Sequence, residues 1–312
     1  MRRRRFATSL LAFAAALVGA SAPGWAEESR ADDQLNFMKA GLVYADALTT
    51  VSPNYAREIL TVEGGQGLDS VLRMRRRDLV GILNGIDALQ WDPSRDPHLP
   101  ARYGPGDLSG KAACKTALQR EMGLPARARV PLIGVIGRLA EQKGVDLLLE
   151  ALPEILVMDV QVAVLGSGRP DWEEALSRTA RERPGRLGVR IGFDEGLTHR
   201  IEAGADLFLM PSRFEPCGLN QMYSLRYGTP PVVRAVGGLE DTVEDFDGWN
   251  RGTGFKFRDY APPALLLALR RALDAWRDRR AWRGLVVRGM SQDFSWDRSA
   301  RSYEALYQAL AP

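Results

Sequence analysis

Short apolar runs alternate with amphipathic helical patterns between residues 131 and 234, and this alternation constrains the fold most. The apolar runs have the length and composition of buried strands. Strands joined by helices form right-handed βαβ units, so we expect a parallel sheet with ligands at the carboxyl ends of its strands. The predicted fold class is α/β with a doubly wound sheet, whose strands are 131–136, 160–165, 187–191, 206–210 and 231–234 and whose helices are 145–158, 171–183, 195–203 and 220–227.

The flanking regions carry further elements. Ser52 and Pro53 have the residue types preferred at a helix cap and at the first helical position. The Gly-rich, basic segment 63–77 is predicted to be a loop. The remaining predictions are a helix from residue 34, strands at 47–51 and 79–83, and helices at 110–123, 261–276, 279–290 and from 296 to about 310.

Composition indicates an ordinary globular protein of one or two domains. The 312 residues are 45% hydrophobic and 26% charged, and a net charge of +3 gives no reason to expect a nucleic-acid partner. The basic run Arg73–Arg77 is interpreted as a solvated loop, with an anionic or polyglucan partner as the alternative. Cys114 and Cys217 are expected to be free thiols, and His98 and His199 lack the spacing of metal ligands, so no metal site is predicted.

The first 26 residues resemble a signal peptide. They combine a basic start, an apolar centre at 10–20 and a small-x-small sequence at 24–26, and the arginines at 3–5 also fit a twin-arginine signal. The apolar centre is too short to cross a bilayer, so no stable membrane span is predicted. The alternative is a fortuitous leader.

The segment 210–219 is predicted to join a strand to a helix through a tight loop. Gly218 permits a close approach, and the amides of Leu219 and Asn220 would face an anion at the helix start. Glu215 would lie beside that anion. Because a carboxylate is a poor phosphate ligand, its expected target is the sugar hydroxyls of the same ligand. The alternative is an ordinary strand-to-helix turn with a solvated glutamate.

Two cations lie five residues apart at another strand-to-helix junction. Arg138 offers a planar fork and Lys143 a compact charge, which together suit a diphosphate leaving group. The alternative is a pair of surface cations. Gly166 and Gly168 also follow a strand, but the third glycine of a dinucleotide fingerprint is missing, and a tight βα turn explains them.

A further turn, Gly237-Gly238, leads into a helix in which Asp241 and Thr242 are able to cap the helix or to touch a ligand. His199 lies in a helical pattern and is interpreted as a surface histidine with a structural role.

Three segments carry a resemblance to a known family: 212–219 (Ser-Arg-Phe-Glu-Pro-Cys-Gly-Leu), 227–230 (Tyr-Gly-Thr-Pro) and 237–243 (Gly-Gly-Leu-Glu-Asp-Thr-Val). They resemble bacterial glycogen synthase and plant starch synthase from about residue 34 to the C-terminus. The resemblance implies a GT-B fold, in which two Rossmann-like domains face each other across the active site. Here it implies, after the signal-like leader (1–26), a remnant of the first domain (34–83), a complete nucleotide-sugar-binding domain (84–295) and a crossover helix (296–312).

The resemblance also implies an activity, a retaining transfer of glucose from ADP-glucose to the nonreducing end of an α-1,4-glucan. Arg138 and Lys143 would stabilise the departing ADP, and Glu215 would bind glucosyl hydroxyls beside Cys217 and Gly218. The family's motif places Gly166, Gly168, Leu219, Asn220, Asp241 and Thr242 near the donor, together with Tyr223, where many related glycosyltransferases carry a second glutamate. No cofactor beyond the donor substrate is implied, and no nucleophile is identified.

The sequence departs from the family near its N-terminus. A Lys-Thr-Gly-Gly-Leu loop and a first-domain histidine of the family have no counterpart here. Three alternatives remain: an active synthase, alone or with its other half supplied by a separate chain; a donor-binding module without turnover; and a degenerate product that folds poorly. Exposed apolar surface on the remnant and on the last helix favours self-association or a partner chain. The resemblance implies a cytoplasmic location, and the leader implies export.

Overall fold

The computed structural model describes residues 36–249 and 251–311, so the predicted leader lies outside the described residues. Two parallel sheets are present, one of two strands and one of six. The elements, in chain order, are α1 (Phe37–Tyr44), β1 (Leu48–Thr50), α2 (Pro53–Glu58), α3 (Val62–Gly65), α4 (Asp69–Met74), β2 (Leu79–Gly81), α5 (Ser109–Glu121), β3 (Leu132–Ile136), a 3-10 helix (Glu141–Lys143), α6 (Val145–Val157), β4 (Gln161–Gly166), α7 (Pro170–Glu182), β5 (Leu187–Ile191), α8 (Glu195–Gly204), β6 (Leu207–Met210), α9 (Asn220–Arg226), β7 (Pro231–Arg234), α10 (Gly237–Thr242), β8 (Phe255–Phe257), α11 (Pro262–Arg277), α12 (Arg279–Met290) and α13 (Trp296–Leu310).

The six-stranded sheet has the order β5-β4-β3-β6-β7-β8, and every neighbouring pair is parallel. The chain builds outward from β3 to β5, returns to the other side of β3 and continues from β6 to β8. The predicted doubly wound parallel sheet is thereby confirmed. The order reverses between β3 and β6, and the carboxyl side of such a switch point forms a crevice that suits a ligand.

Successive side chains of the central strands are buried on opposite faces of the sheet. In β4, Val162 and Val164 join the core that α6 and α11 cover, whereas Ala163 and Leu165 join the core that α5 and α8 cover. This period of two is that of a strand buried on both faces, which explains its continuous apolar sequence.

The N-terminal unit, α1 to β2, has its own small core. Side chains from three of its helices pack around the two-stranded sheet: Leu42, Leu48, Tyr55, Ile59, Val71 and Leu72. Ser52 accepts a hydrogen bond from the Tyr55 amide at 2.9 Å, which confirms the predicted cap of α2.

The prediction of a loop at 63–77 is wrong, because this segment contains most of α3 and all of α4. The Arg73–Arg77 run is also only partly solvated. The Arg75 guanidinium donates to the carbonyls of Leu42, Val43 and Ala45 at 2.7, 2.7 and 2.5 Å, so it satisfies the end of α1.

The chain passes between the two units twice, and the two passages lie side by side. Ile86 forms a parallel bridge with Ser295, and the Ser299 hydroxyl donates to the Leu83 carbonyl at 2.6 Å. From there α13 runs along the outside with Tyr307 half exposed. Across residues 36–249 and 251–311, no helix combines the length and the apolar character needed to cross a membrane.

Gly144 gives a stability prediction. Its φ is +69°, and a Cβ there would lie 2.0 Å from the Pro211 carbonyl oxygen. We expect Gly144→Ala to lower the free energy of unfolding by about 2 kcal/mol or more, measured by denaturant titration. Gly67→Ala is the control, because Gly67 has φ +81° with nothing within 4 Å of its Cβ position. Equal losses at the two sites would contradict a role for the Pro211 contact.

Candidate functional site

The candidate site lies where β3 and β6 end. The loop after β3 and the loop after β6 touch through their backbones, because the Arg213 amide donates to the Gln142 carbonyl at 2.9 Å and Gly144 packs on the Pro211 carbonyl. A small pocket opens between them, and Arg138, Lys143 and Ser212 are among the residues that line it. The strand-to-helix junctions predicted from the sequence thus meet at the switch point of the sheet.

Lys143 and Glu215 form an ion pair at this junction. The Lys143 Nζ lies 2.6 Å from Glu215 Oε2, and the Ser212 hydroxyl donates to the same oxygen at 3.1 Å. Glu215 is only 5% exposed, which excludes the alternative of a solvated glutamate. Because a buried carboxylate needs a compensating charge and hydrogen bonds, Lys143 and Ser212 hold it in place.

Arg138 lies on the same loop as Lys143 but has a different environment. Its side chain is exposed, and its Nη2 donates to Gln142 Oε1 at 2.9 Å. The structure therefore places both predicted cations at one pocket. Arg138 faces solvent there, whereas Lys143 contacts the carboxylate.

The Gly166–Gly168 loop packs directly against the loop after β3. A Cβ on Gly166 would lie 2.1 Å from the Gly137 carbonyl oxygen, and one on Gly168 would lie 2.2 Å from that of Leu139. The Gly168 amide donates to Glu173 Oε1 at 2.8 Å. Close packing between two loops explains these glycines, as the predicted tight turn requires, and their place near a donor stays a prediction.

The loop after β6 continues into α9 through Cys217 and Gly218. Burial raises the pKa of the Cys217 thiol to about 11, so the group is a neutral thiol near neutral pH. Gly218 has φ +71°, which a glycine adopts without strain. Leu219 precedes the first helical residue with its side chain partly exposed, and the Asn220 amide group donates to the Ile136 carbonyl at 3.2 Å.

The turn at Gly237-Gly238 covers the backbone of the same loop, but the two polar residues after it point elsewhere. The Asp241 carboxylate accepts hydrogen bonds from the Ser52 hydroxyl at 2.5 Å and the Asn54 amide at 2.9 Å, both in the N-terminal unit. The buried Thr242 hydroxyl donates to the Gly238 carbonyl at 2.6 Å. The structure gives Asp241 and Thr242 structural partners, and their contact with a ligand stays a prediction.

Tyr223 belongs to a stack of three rings. The Trp91 indole lies between them, 3.7 Å from the Tyr223 ring centroid and 3.9 Å from that of His199. His199 is buried and its Nδ1 lies 2.7 Å from Asp96 Oδ2, so the interpretation as a surface histidine without a partner is wrong. The reason is distance along the chain, since Asp96 lies 103 residues earlier.

Sequence reasoning missed three groups at or near the site. Phe193 is 88% exposed just after β5, on the same sheet edge as the pocket. Arg213 forms an ion pair with Asp146 at 2.6 Å and lies over the Tyr260 ring at 4.2 Å. Glu58 reaches the Gly237-Gly238 turn from the N-terminal unit. An aromatic residue just after a predicted strand was a usable signal for Phe193, whereas the other contacts join distant segments.

Within the described part of the chain, no cluster of histidine, cysteine, aspartate and glutamate side chains is arranged to hold a metal ion. Cys114 and Cys217 are both free thiols, as predicted.

Comparison with known proteins covers both units. A family model described as Glycosyl transferases group 1 matches residues 123–284, and one described as Starch synthase catalytic domain matches residues 8–74. The chain is 75% identical over 279 residues to a glycogen synthase of Anaeromyxobacter sp. (strain Fw109-5) and 54% identical over 282 residues to one of Cellvibrio japonicus (strain Ueda107). Each match covers 89% of this chain, but only 59% and 58% of those two proteins.

Solved structures agree with this similarity. The catalytic domain of starch synthase IV from Arabidopsis thaliana, bound to ADP and acarbose, matches with a TM-score of 0.82 and 40% identity over 87% of this chain and 57% of that chain. Sucrose-phosphate synthase from Thermosynechococcus elongatus matches with a TM-score of 0.61 at 22% identity, over 88% of this chain and 60% of that chain, which supports the fold alone. The resemblance to glycogen and starch synthases and the predicted GT-B type of fold are confirmed.

A double-mutant cycle tests the ion pair. We expect Lys143→Met alone to lower the free energy of unfolding by about 3–5 kcal/mol, because it leaves a buried carboxylate uncompensated. Adding Glu215→Gln should recover part of that loss, giving a coupling energy of about 1–3 kcal/mol. The exposed Arg181–Glu174 pair, at 2.8 Å, is the control and should couple by less than about 0.5 kcal/mol. A coupling at Lys143 as small as the control's would show that the pair does not hold the site together.

Proposed function

The chain belongs to the group 1 glycosyl transferase family, and on that basis we propose that it transfers glucose from ADP-glucose to the nonreducing end of an α-1,4-glucan, with retention of the anomeric configuration. The observation that carries the proposal is the Lys143–Glu215 pair at the switch point of the sheet, with Arg138 exposed at the same pocket. The carboxylate is suited to bind the hydroxyls of the sugar, and the two cations are suited to bind the diphosphate. The similarity to glycogen synthases supports the choice of substrates.

Lys143 is suited to connect the sugar and the diphosphate. An ammonium group has three donors, and Glu215 Oε2 engages Nζ at 2.6 Å, which leaves donors for a phosphate oxygen. Glu215 keeps its second oxygen for glucosyl hydroxyls. In this arrangement Lys143 screens the carboxylate from the diphosphate, which removes the repulsion that would otherwise separate them.

Arg138 completes the stabilisation of the leaving group. Negative charge grows on ADP as the glucosyl bond breaks, and a guanidinium fork that faces solvent in the free protein is available to bind phosphate oxygens bidentately. Burial keeps the Cys217 thiol protonated near neutral pH, so it is not an activated nucleophile. The Ser212 hydroxyl donates to Glu215 and helps to hold that carboxylate in place.

The nucleobase would lie farther along the same sheet edge. Phe193 exposes its ring just after β5, beyond the Gly166–Gly168 loop, where a planar base is able to stack on it. ADP in the similar starch synthase structure agrees with a nucleoside diphosphate as part of the donor. The proposal requires no metal or other cofactor. The cytoplasmic location implied by the resemblance stays a prediction.

A glucan acceptor and a protein partner complete the proposal. Acarbose in the same starch synthase structure supports a glucan as acceptor. Phe37 and Tyr44 on α1 are 79% and 86% exposed, and Tyr307 on α13 is 50% exposed. Exposed aromatic rings of this kind favour self-association or a separate partner chain.

Donor binding without turnover is the second candidate function. The chain spans 59% of the length of the Anaeromyxobacter glycogen synthase that it matches. Transfer requires donor and acceptor in near-attack geometry, and such orientation is worth about 7–11 kcal/mol of the barrier. The Lys143–Glu215 pair accounts for binding of the donor but not for the positioning of an acceptor.

A pair of substitutions separates the two halves of the donor site. We expect Arg138→Ala to weaken ADP and ADP-glucose binding alike, by about tenfold, because both ligands carry the diphosphate. Glu215→Gln should weaken ADP-glucose binding much more than ADP binding. Isothermal titration with each ligand measures the affinities, and Arg181→Ala on the exposed face of α7 is the control. Equal losses for both ligands in Glu215→Gln would contradict the sugar assignment.

Incorporation of labelled glucose from ADP-glucose into glycogen tests the activity itself. The purified 312-residue chain is assayed alone and with the separately produced N-terminal domain of a similar glycogen synthase. Transfer by the chain alone supports the synthase, and transfer only with the added domain supports a site completed by a second chain. If ADP-glucose binds but no glucose is incorporated in either assay, donor binding without turnover is supported instead.

A further inference from the structure

Helix α2 of the N-terminal unit is attached to both ends of α10. At one end, the Gly237 amide donates to Glu58 Oε1 at 2.8 Å. At the other end, the Asp241 carboxylate accepts hydrogen bonds from the Ser52 hydroxyl and from the backbone amide of Asn54. A helix of six residues has little stability of its own, so its place depends on these contacts together with the packing of the buried Leu239 against β6 and β7.

The first two residues of α10 in turn press on the loop that carries the proposed sugar-binding carboxylate. A Cβ on Gly237 would lie 1.9 Å from the Glu215 carbonyl oxygen, and one on Gly238 would lie 2.0 Å from that of Cys217. The Gly238 amide donates to the Glu215 carbonyl at 3.0 Å. The backbone of Glu215 is thus held by a turn that Glu58 itself holds.

We propose that Glu58 is a positioning residue for Glu215, acting through the Gly237-Gly238 turn, and that it thereby sets the affinity for the sugar half of the donor. The inference rests on the proposed function, since it takes Glu215 as the ligand of the glucosyl hydroxyls. It assigns to the N-terminal unit a part in donor recognition.

The surroundings of Glu58 favour this role over simple stabilisation. Its Oε1 also accepts from the Asn54 side chain at 2.7 Å, and the charges of Arg234 and Asp241 lie nearby along with Tyr55. Burial is the largest cause that raises the pKa of this carboxyl. Its contribution to stability is therefore full below the pKa of the unfolded chain and is lost as the pH rises through the folded value. The hydrogen bonds to Gly237 and Asn54, rather than a gain in stability from the charge, are therefore what this carboxyl contributes.

The diphosphate half of the donor should depend on Glu58 much less than the sugar half, because Glu215 affects it only through Lys143. Arg138 lies on the loop after β3, which is fixed by its own contacts with the Gly166–Gly168 loop and with Pro211. Loosening the Gly237-Gly238 turn leaves those contacts intact. A positioning role therefore predicts a selective loss, in which ADP-glucose binding weakens much more than ADP binding. A merely structural role would weaken both ligands together.

The experiment compares Glu58→Ala, Glu58→Gln and Glu58→Asp with wild type in the full chain. Glu63→Ala is the matched control, an exposed glutamate in the same unit. Two readouts are used: amide hydrogen exchange across residues 235–243, and the ratio of ADP-glucose to ADP affinity by isothermal titration. We expect Glu58→Ala to exchange faster there and to lower the ratio about three- to tenfold. Glu58→Gln keeps an acceptor oxygen at the same reach and should restore both readouts.

The outcomes separate this inference from the proposed function. If wild type binds neither ligand, the proposed function fails, while faster exchange in Glu58→Ala would still support the link between Glu58 and the turn. If wild type binds both ligands and Glu58→Ala leaves the ratio unchanged, the inference is overturned and the proposed function stands. If Glu58→Ala does not fold, Glu58→Asp decides, because it keeps the charge but shortens the reach by one methylene. An unchanged ratio in Glu58→Asp then overturns the inference.

Discussion

Close contact between backbone segments at the carboxyl edge of the six-stranded sheet is the constraint on which the site depends. Gly144 meets the Pro211 carbonyl, Gly166 meets the Gly137 carbonyl and Gly237 meets the Glu215 carbonyl, each with less room than a Cβ needs. Any other residue at these positions would push the loops apart. Because the loops after β3, β4, β6 and β7 touch in this way, side chains that are far apart in sequence share one small pocket.

The ion pair between Lys143 and Glu215 depends on these contacts between the loops. A carboxylate that is 5% exposed needs a cation and hydrogen bonds to compensate for the water it has lost, and Lys143 and Ser212 provide them. Bringing the pair together requires that the loops after β3 and β6 already lie in contact. The ion pair therefore depends on the packing of the backbone, and the proposed donor would find both charges already in place.

The sequence predicted the local part of this arrangement well. The strands at 187–191 and 231–234 and the helix at 279–290 agree with the structure residue for residue, since their apolar spacing is unambiguous. The positions of Arg138, Lys143 and Glu215 at strand ends followed from the same alternation. Their pairing did not, because nothing in the local pattern links Lys143 with a carboxylate 72 residues away.

The errors have the same physical origin. The segment 63–77 has the composition of a loop, yet Val71 and Leu72 pack in the core of the N-terminal unit. Arg75 also donates to the end of α1, some thirty residues earlier in the chain. His199 has no neighbour in sequence that would suggest burial, but the fold supplies Asp96 and the Trp91 ring. β8 has three residues, too few for a periodic signal, and exists because β7 offers it an edge.

Contacts between the N-terminal unit and α10 make that unit part of the proposed donor site. A Rossmann-like sheet places cations at its switch point with its own loops, which is why Arg138 and Lys143 need no help from the N-terminal unit. The sugar side differs, because the turn over Glu215 belongs to a six-residue helix attached to α2 by Glu58, Ser52 and Asn54. A movement of the N-terminal unit relative to the sheet would thus alter the geometry around Glu215 before it altered that around Arg138. On the proposed function, recognition of the sugar would then be coupled to the position of the N-terminal unit, whereas recognition of the diphosphate would be a property of the sheet itself.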